Sequence, residues 1–294
     1  MKTDMRVLSY AVADSGGEVA WPEARVCALP AAAFHPRKAR LPGLAWELCQ
    51  AATAGVELPA TTSVLFGTAL GCLTETAAFV ENMIEGEGVA PRPRAFTASV
   101  HNAIASEVAR RLGARGENQT FVHGEVSPFQ ALFAAARQGQ RGETNDVMVG
   151  ALDEWSDYVA RGRAVCGAGE PCGAREGGAL LHLRPGDQGG VGLARITRIT
   201  LARPRNAVAW SQERLAEVGA DAVLATGTLA KLASGPTGHE FGDHPAVGAC
   251  ALAYACAWVA GEMPSEASDR PESVAVVCGS RFGDVALALV QSVQ

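Results

Sequence analysis

Two hydrophobic periods alternate along this chain. Short apolar runs bounded by glycine or polar turns occur at residues 7–13, 62–68, 146–152, 178–183, 222–225, 274–277 and 285–294, and each reads as a strand. Most of these runs do not alternate with polar residues, which predicts strands covered on both faces. Residues 191–201 do alternate. Between the strands lie helical patterns at 44–54, 73–84, 102–112, 129–138, 210–218 and 246–259. The last is apolar on every side, so it belongs between two layers. Residues 21–42, with four prolines, and 85–94, 161–176 and 262–271 show no period and read as loops. Strands alternating with helices predict an α/β fold with central sheets.

One stretch is chemically unusual. RGENQTFVHGEVSPFQ (115–130) reads as a turn, a β-rich run at 119–122, a tight Gly124, and a helix entered through Ser127-Pro128. Glu125 therefore stands at a strand-to-helix elbow, where helix N-termini hold nucleophiles or anions. A carboxylate is a poor nucleophile toward acyl groups. The elbow reads as a reactive site whose reactive atom has been replaced.

Composition narrows the function classes. The chain has 294 residues, 48% hydrophobic and 19% charged, enough for a sizeable core. A net charge of −6, with both signs interspersed, argues against nucleic acid or an anionic membrane as partner. No apolar run reaches the roughly 18–20 residues of a membrane span, and no signal peptide is evident, so a cytoplasmic location is expected. The eight cysteines form no CxxC pair and mostly lie in apolar runs, which predicts buried thiols. His239 and His244 lack an evident third ligand, so no metal is expected. His123 and Ser127 lack the G-x-S-x-G elbow of a hydrolase. No Walker or dinucleotide fingerprint occurs, and no cofactor is expected.

Several landmarks, in order, resemble the β-ketoacyl synthase family of the thiolase superfamily. They are FGTALGCLTETAAF (66–79), LGARGENQTFVHGE (112–125), DVMVGALDE (146–154), EGGALLHL (176–183), ATGTLAK (225–231), PTGHEFGDHPAVGA (236–249) and GSRFGDVALAL (279–289). The resemblance implies a thiolase-like, five-layered α/β/α/β/α sandwich of two similar halves, shortened in its loops and C-terminal part. The halves would be residues 1–185 and 186–294, forming one compact unit.

The departures from the family pattern carry the functional expectation. A ketosynthase needs a Cys thiolate to take the acyl chain and two His to handle the malonyl thioester. Here the Cys position holds Glu125, the first His position holds Thr226, and the preceding Lys position holds Ser234; only His239 is kept. This is similar to the chain-length factor of type II polyketide synthases, of the kind found in polyene and aryl-polyene systems. The resemblance implies a non-catalytic subunit that pairs with an active ketosynthase and shapes the tunnel for the growing acyl chain. An acyl carrier protein would dock mainly on the partner. Thr120, Phe121 and Val122 would form the pairing edge, and Phe96, Val100, His101, Asn102, Ile104 and Phe129 would lie at the tunnel or interface. Two other readings stand beside it: an active malonyl decarboxylase or acyltransferase using Glu125 and His239, and a purely structural partner of the ketosynthase.

Overall fold

A computed structural model describes residues 1–14, 19–29, 39–53, 56–86, 88, 93–165, 176–186, 192–234, 244–263 and 270–293. The first strand, β1 (Lys2–Asp14), is followed by the short β2 (Val26–Cys27), α1 (Arg40–Thr53), β3 (Ser63–Thr68), α2 (Leu73–Glu85), α3 (Pro93–Ser99) and α4 (Ala103–Leu112). Then come β4 (Asn118–Val122), α5 (Ser127–Arg141), β5 (Val147–Asp153), α6 (Asp157–Val165) and β6 (Gly177–Pro185). The remainder is β7 (Ala194–Ala202), α7 (Ala207–Val218), β8 (Ala222–Gly227), α8 (Val247–Ala260), β9 (Ser273–Gly279) and β10 (Val285–Ser292).

The strands follow one path, β4-β3-β5-β6-β1-β7-β10-β9-β8, with β2 against β1. That path contains the same motif twice. β1-β6-β5-β3 pairs antiparallel, antiparallel, then parallel. β7-β10-β9-β8 does the same. The two runs join where the start of β1 pairs with β7, while its later residues pair with β6.

Helices α5 and α8 lie between the two runs, α5 against β3, β5 and β7, and α8 against β6, β9 and β10. Helices α1 and α4 cover the outer face of the first run, and α7 packs on β9 and β10. The result is the expected five-layer α/β/α/β/α sandwich. The largest apolar cluster fills the central layer, and a second lies under α1 and α4. The all-apolar pattern of α8 follows from this position, since it meets side chains on every side.

Two details seat the functional end of the molecule. A Cβ on Gly67 in β3 would come within 2.6 Å of the Ser127 backbone, so only glycine lets α5 start directly on the strand. Likewise a Cβ on Gly248 in α8 would lie 2.8 Å from the ring of Phe129, which glycine lets close against the neighbouring helix.

The strand and helix pattern held with five adjustments, the first being the short β2 inside the stretch 21–42 read as loop. β1 begins at Lys2 rather than at residue 7, because its polar start is a paired segment in which Arg195 holds Asp4. α1 begins at Arg40 within the stretch read as loop, and α3 and α6 lie partly in stretches read as loops. α3 and α6 bury little, so they carry no apolar stripe. Ser127 does not cap α5 but is already helical, and the residue before it, Val126, makes no side-chain cap.

Candidate functional site

The carboxyl ends of the parallel strands β3, β5, β8 and β9 gather at one end of the sandwich, beside the start of α5. Glu125 lies there, in the single 3₁₀ turn Gly124–Val126 that leads into α5. The Ser127 hydroxyl organises this elbow. It accepts from the His123 N–H (2.7 Å) and lies within hydrogen-bond reach of the carbonyls of Gly124 (2.7 Å) and Thr68 (3.1 Å). Ser127 is thereby committed to the backbone and is not part of a nucleophilic triad.

The Glu125 side chain is mostly buried and meets Arg281 Nε at 3.3 Å. Beneath it, the fully buried Cys278 directs its thiol to the Glu125 carbonyl at 3.3 Å. Cys278 is the register partner of Thr226 across β8 and β9, so Thr226 also falls in this cluster. Burial pushes the Cys278 thiol up to about 12, which keeps it protonated and inert. On the other flank Asp284 receives His123 Nε2 at 3.1 Å and a two-pronged contact from Arg203 at 2.8 and 2.9 Å. The Arg203 contact, with His123 second, holds the Asp284 carboxyl below its usual range.

Behind the elbow, Asp153 accepts from the Thr68 hydroxyl (2.7 Å) and from the Ala69 and Leu70 amides (3.0 and 2.9 Å). Complete burial nevertheless raises it to about 6. Its neighbour Glu154, raised to about 7 mainly by burial, lies with Glu176 against the Arg40 guanidinium, while Glu75 accepts from the Arg40 backbone N–H at 2.8 Å.

The sequence-predicted residues divide as follows. Glu125 and Thr226 come together through Cys278. Ser234 does not join them. It exchanges hydrogen bonds with Val223 at the outer edge of β8. His239 lies outside the described residues, as do Cys166 and Cys172. Thr120, Phe121 and Val122 are on β4, which among the described residues pairs with β3 and stands at an end of the strand path, with Val122 48% exposed. Phe96 is 54% exposed on α3, and its ring lies tilted at 51° against Phe79 of α2, with the ring centres 5.3 Å apart. Val100, His101 and Asn102 lie on the surface between α3 and α4, His101 against Gly71. Ile104 and Phe129 are fully buried in the outer and central clusters. Arg281, Asp284, Arg203 and Cys278 were not predicted as site residues. Only the glycine turn GSRFGD and the order of the landmarks pointed to their neighbourhood.

No protein-family model matches the chain, and no curated protein matches it. Solved structures do. The ishigamide ketosynthase/chain length factor is 19% identical, with 99% of each chain covered and a TM-score of 0.79. A type II polyketide synthase acyl-carrier protein in complex with its ketosynthase, bound to the hexaketide, is 14% identical, covering 99% of this chain and 100% of that one, at a TM-score of 0.74. A β-ketoacyl synthase from Burkholderia phymatum is 13% identical over 100% of both chains, with a TM-score of 0.71. The fold is the thiolase-like ketosynthase fold. At such identities the likeness fixes the ketosynthase fold and leaves chemistry to the residues of the site. Among the described residues no helix is long and apolar enough to cross a membrane.

Proposed function

We propose that this chain is a non-catalytic, chain-length-factor-like subunit that pairs with an active ketosynthase and shapes the tunnel for a growing polyketide or polyene chain. In this reading residues 1–185 and 186–294 are the two halves of one unit. The observation that carries it is the state of the elbow on a ketosynthase fold. Where acyl transfer needs a thiolate, Glu125 is engaged by Arg281, and the thiol that meets its carbonyl, Cys278, is buried and protonated. Thr226 cannot do the work of an imidazole on a thioester carbonyl.

Two surface features support pairing. Among the described residues the outer edge of β4 has no strand partner, whereas on the β8 edge Ser234 takes up the backbone groups of Val223. Exposed apolar side chains on α2 and α3 (Val80, Met83, Ile84 and Phe96) form a face of the kind that partners cover. Among the structural neighbours is a protein named as a ketosynthase/chain length factor, and another is a ketosynthase with a carrier protein. By analogy the carrier would be presented to the partner subunit.

The discriminating experiment is a malonyl-thioester turnover assay on the purified chain alone, beside Glu125→Ala. The proposed reading expects no turnover from either protein. Turnover by the unaltered chain that disappears in Glu125→Ala would instead establish the decarboxylase or acyltransferase reading. Substituting Phe96 separates tunnel shaping from a purely structural role. Phe96→Ala should lengthen the product of the complex, and an unchanged length in an intact complex would favour the structural role.

A further inference from the structure

The contacts around Glu125 come from opposite halves of the fold. His123, Gly124 and Glu125 belong to the elbow after β4, whereas Arg203 follows β7 and residues 280–284 connect β9 to β10. Arg281 reaches across to Glu125, and His123 reaches back to Asp284, which Arg203 holds from the other side. The turn carrying these groups is itself pinned. The Ser280 hydroxyl accepts from the Phe282 and Asp284 amides at 3.2 and 3.1 Å, and the Asp284 carboxylate lies 3.3 Å from it. The Phe282 ring lies over Gly124, at 3.9 Å from the place a Cβ would take, with the Arg281 guanidinium 5.9 Å from the ring centre. Directly below are Cys278 and Thr226, both fully buried.

We propose that these two crossing contacts, Arg281 to Glu125 and His123 to Asp284 with Arg203, form a latch that clamps the elbow to the 280–284 turn above Cys278 and keeps acyl thioesters out of this chain's own elbow. Acyl traffic then passes through the partner alone. That consequence rests on the proposed function, whereas the latch does not. In each pair the cation is exposed to solvent, which screens the contact and keeps it weak, so the latch depends on both contacts together and opens without unfolding the core.

Cys278 reports on the latch, and the test uses the purified chain with no ketosynthase present, so its outcome is independent of the complex. The native protein is treated with iodoacetamide, and labelling of each cysteine is followed by peptide mass mapping. Cys256, fully buried in α8, serves as the reference for general opening. In the unaltered chain Cys278 should label as slowly as Cys256, and far more slowly than the half-buried Cys27. The double variant Arg203→Ala/Arg281→Ala removes two exposed side chains and should raise the Cys278-to-Cys256 labelling ratio about tenfold. Arg281→Lys, which keeps the charge, should leave the ratio near that of the unaltered chain. Because the ratio normalises for global opening, a destabilised variant still reads. An unchanged ratio in the double variant, or Cys278 labelling as fast as Cys27 in the unaltered chain, overturns the latch.

Discussion

Burial raises Glu154 to about 7 and Asp153 to about 6, and each consequently binds its proton more tightly in the folded chain than in the unfolded one. Unfolded carboxyls titrate near pH ~4. Stability contributed by these two protons is therefore full below about pH 4 and is lost as pH rises through about 7, above which the charged forms are buried at a cost. Thermal melts should show the melting temperature falling between about pH 5 and pH 7.5, with a shallower slope in Glu154→Gln. Equal slopes in both proteins would mean that Glu154 does not carry the effect. Gly71 gives a second residue-scale test. Its φ is +65°, and a Cβ there would meet the His101 ring at 2.8 Å. Gly71→Ala should destabilise by about 1–2 kcal/mol through the backbone alone, with further cost from the clash. Adding His101→Ala should recover the clash part and leave the backbone part, as read by urea unfolding. Chemistry at this scale was only partly legible in the sequence. Glu125 and Thr226 were found by matching local segments. Arg281 was not, because it meets Glu125 across 156 positions and nothing local marks an arginine in a glycine turn as its partner.

The two ends of the strand path behave differently, and the elements explain why. β8 exchanges hydrogen bonds with Ser234, which blunts that edge. Among the described residues β4 pairs on one side only, and its residues are exposed or half-buried throughout. A charge on an edge strand opposes pairing without disturbing a core. Val122→Lys should thus stay folded, within about 0.5 kcal/mol of the unaltered chain, yet bind the ketosynthase at least about tenfold more weakly. Undiminished binding by isothermal calorimetry would move the interface away from β4. Strong patterns such as α8 and the buried strands were readable because burial on all sides leaves an unbroken apolar run. The start of β1 was not, since Lys2, Asp4 and Arg6 look like a solvated terminus until the distant Arg195 supplies a partner for Asp4. α6 was missed because it buries no residue and so shows no stripe, although Pro93 at the first position of α3 was a start signal that could have been used.

Across the whole molecule, two copies of one strand motif enclose a pair of central helices whose N-termini lie at the same end as the carboxyl ends of the parallel strands. That geometry would bring a nucleophile and its helpers together, and here it brings together a carboxylate, a threonine and a protonated thiol. On the proposed function, such a chain works only with a catalytic partner. The most direct measurement is co-expression with a candidate ketosynthase that carries Cys-His-His, followed by sizing and intact-mass detection of elongation on carrier-bound substrate. A stable one-to-one complex that elongates only when both chains are present is the expected result. Elongation by the ketosynthase alone at the same rate and to the same length, or thioester turnover by this chain as a monomer or homodimer, would contradict it.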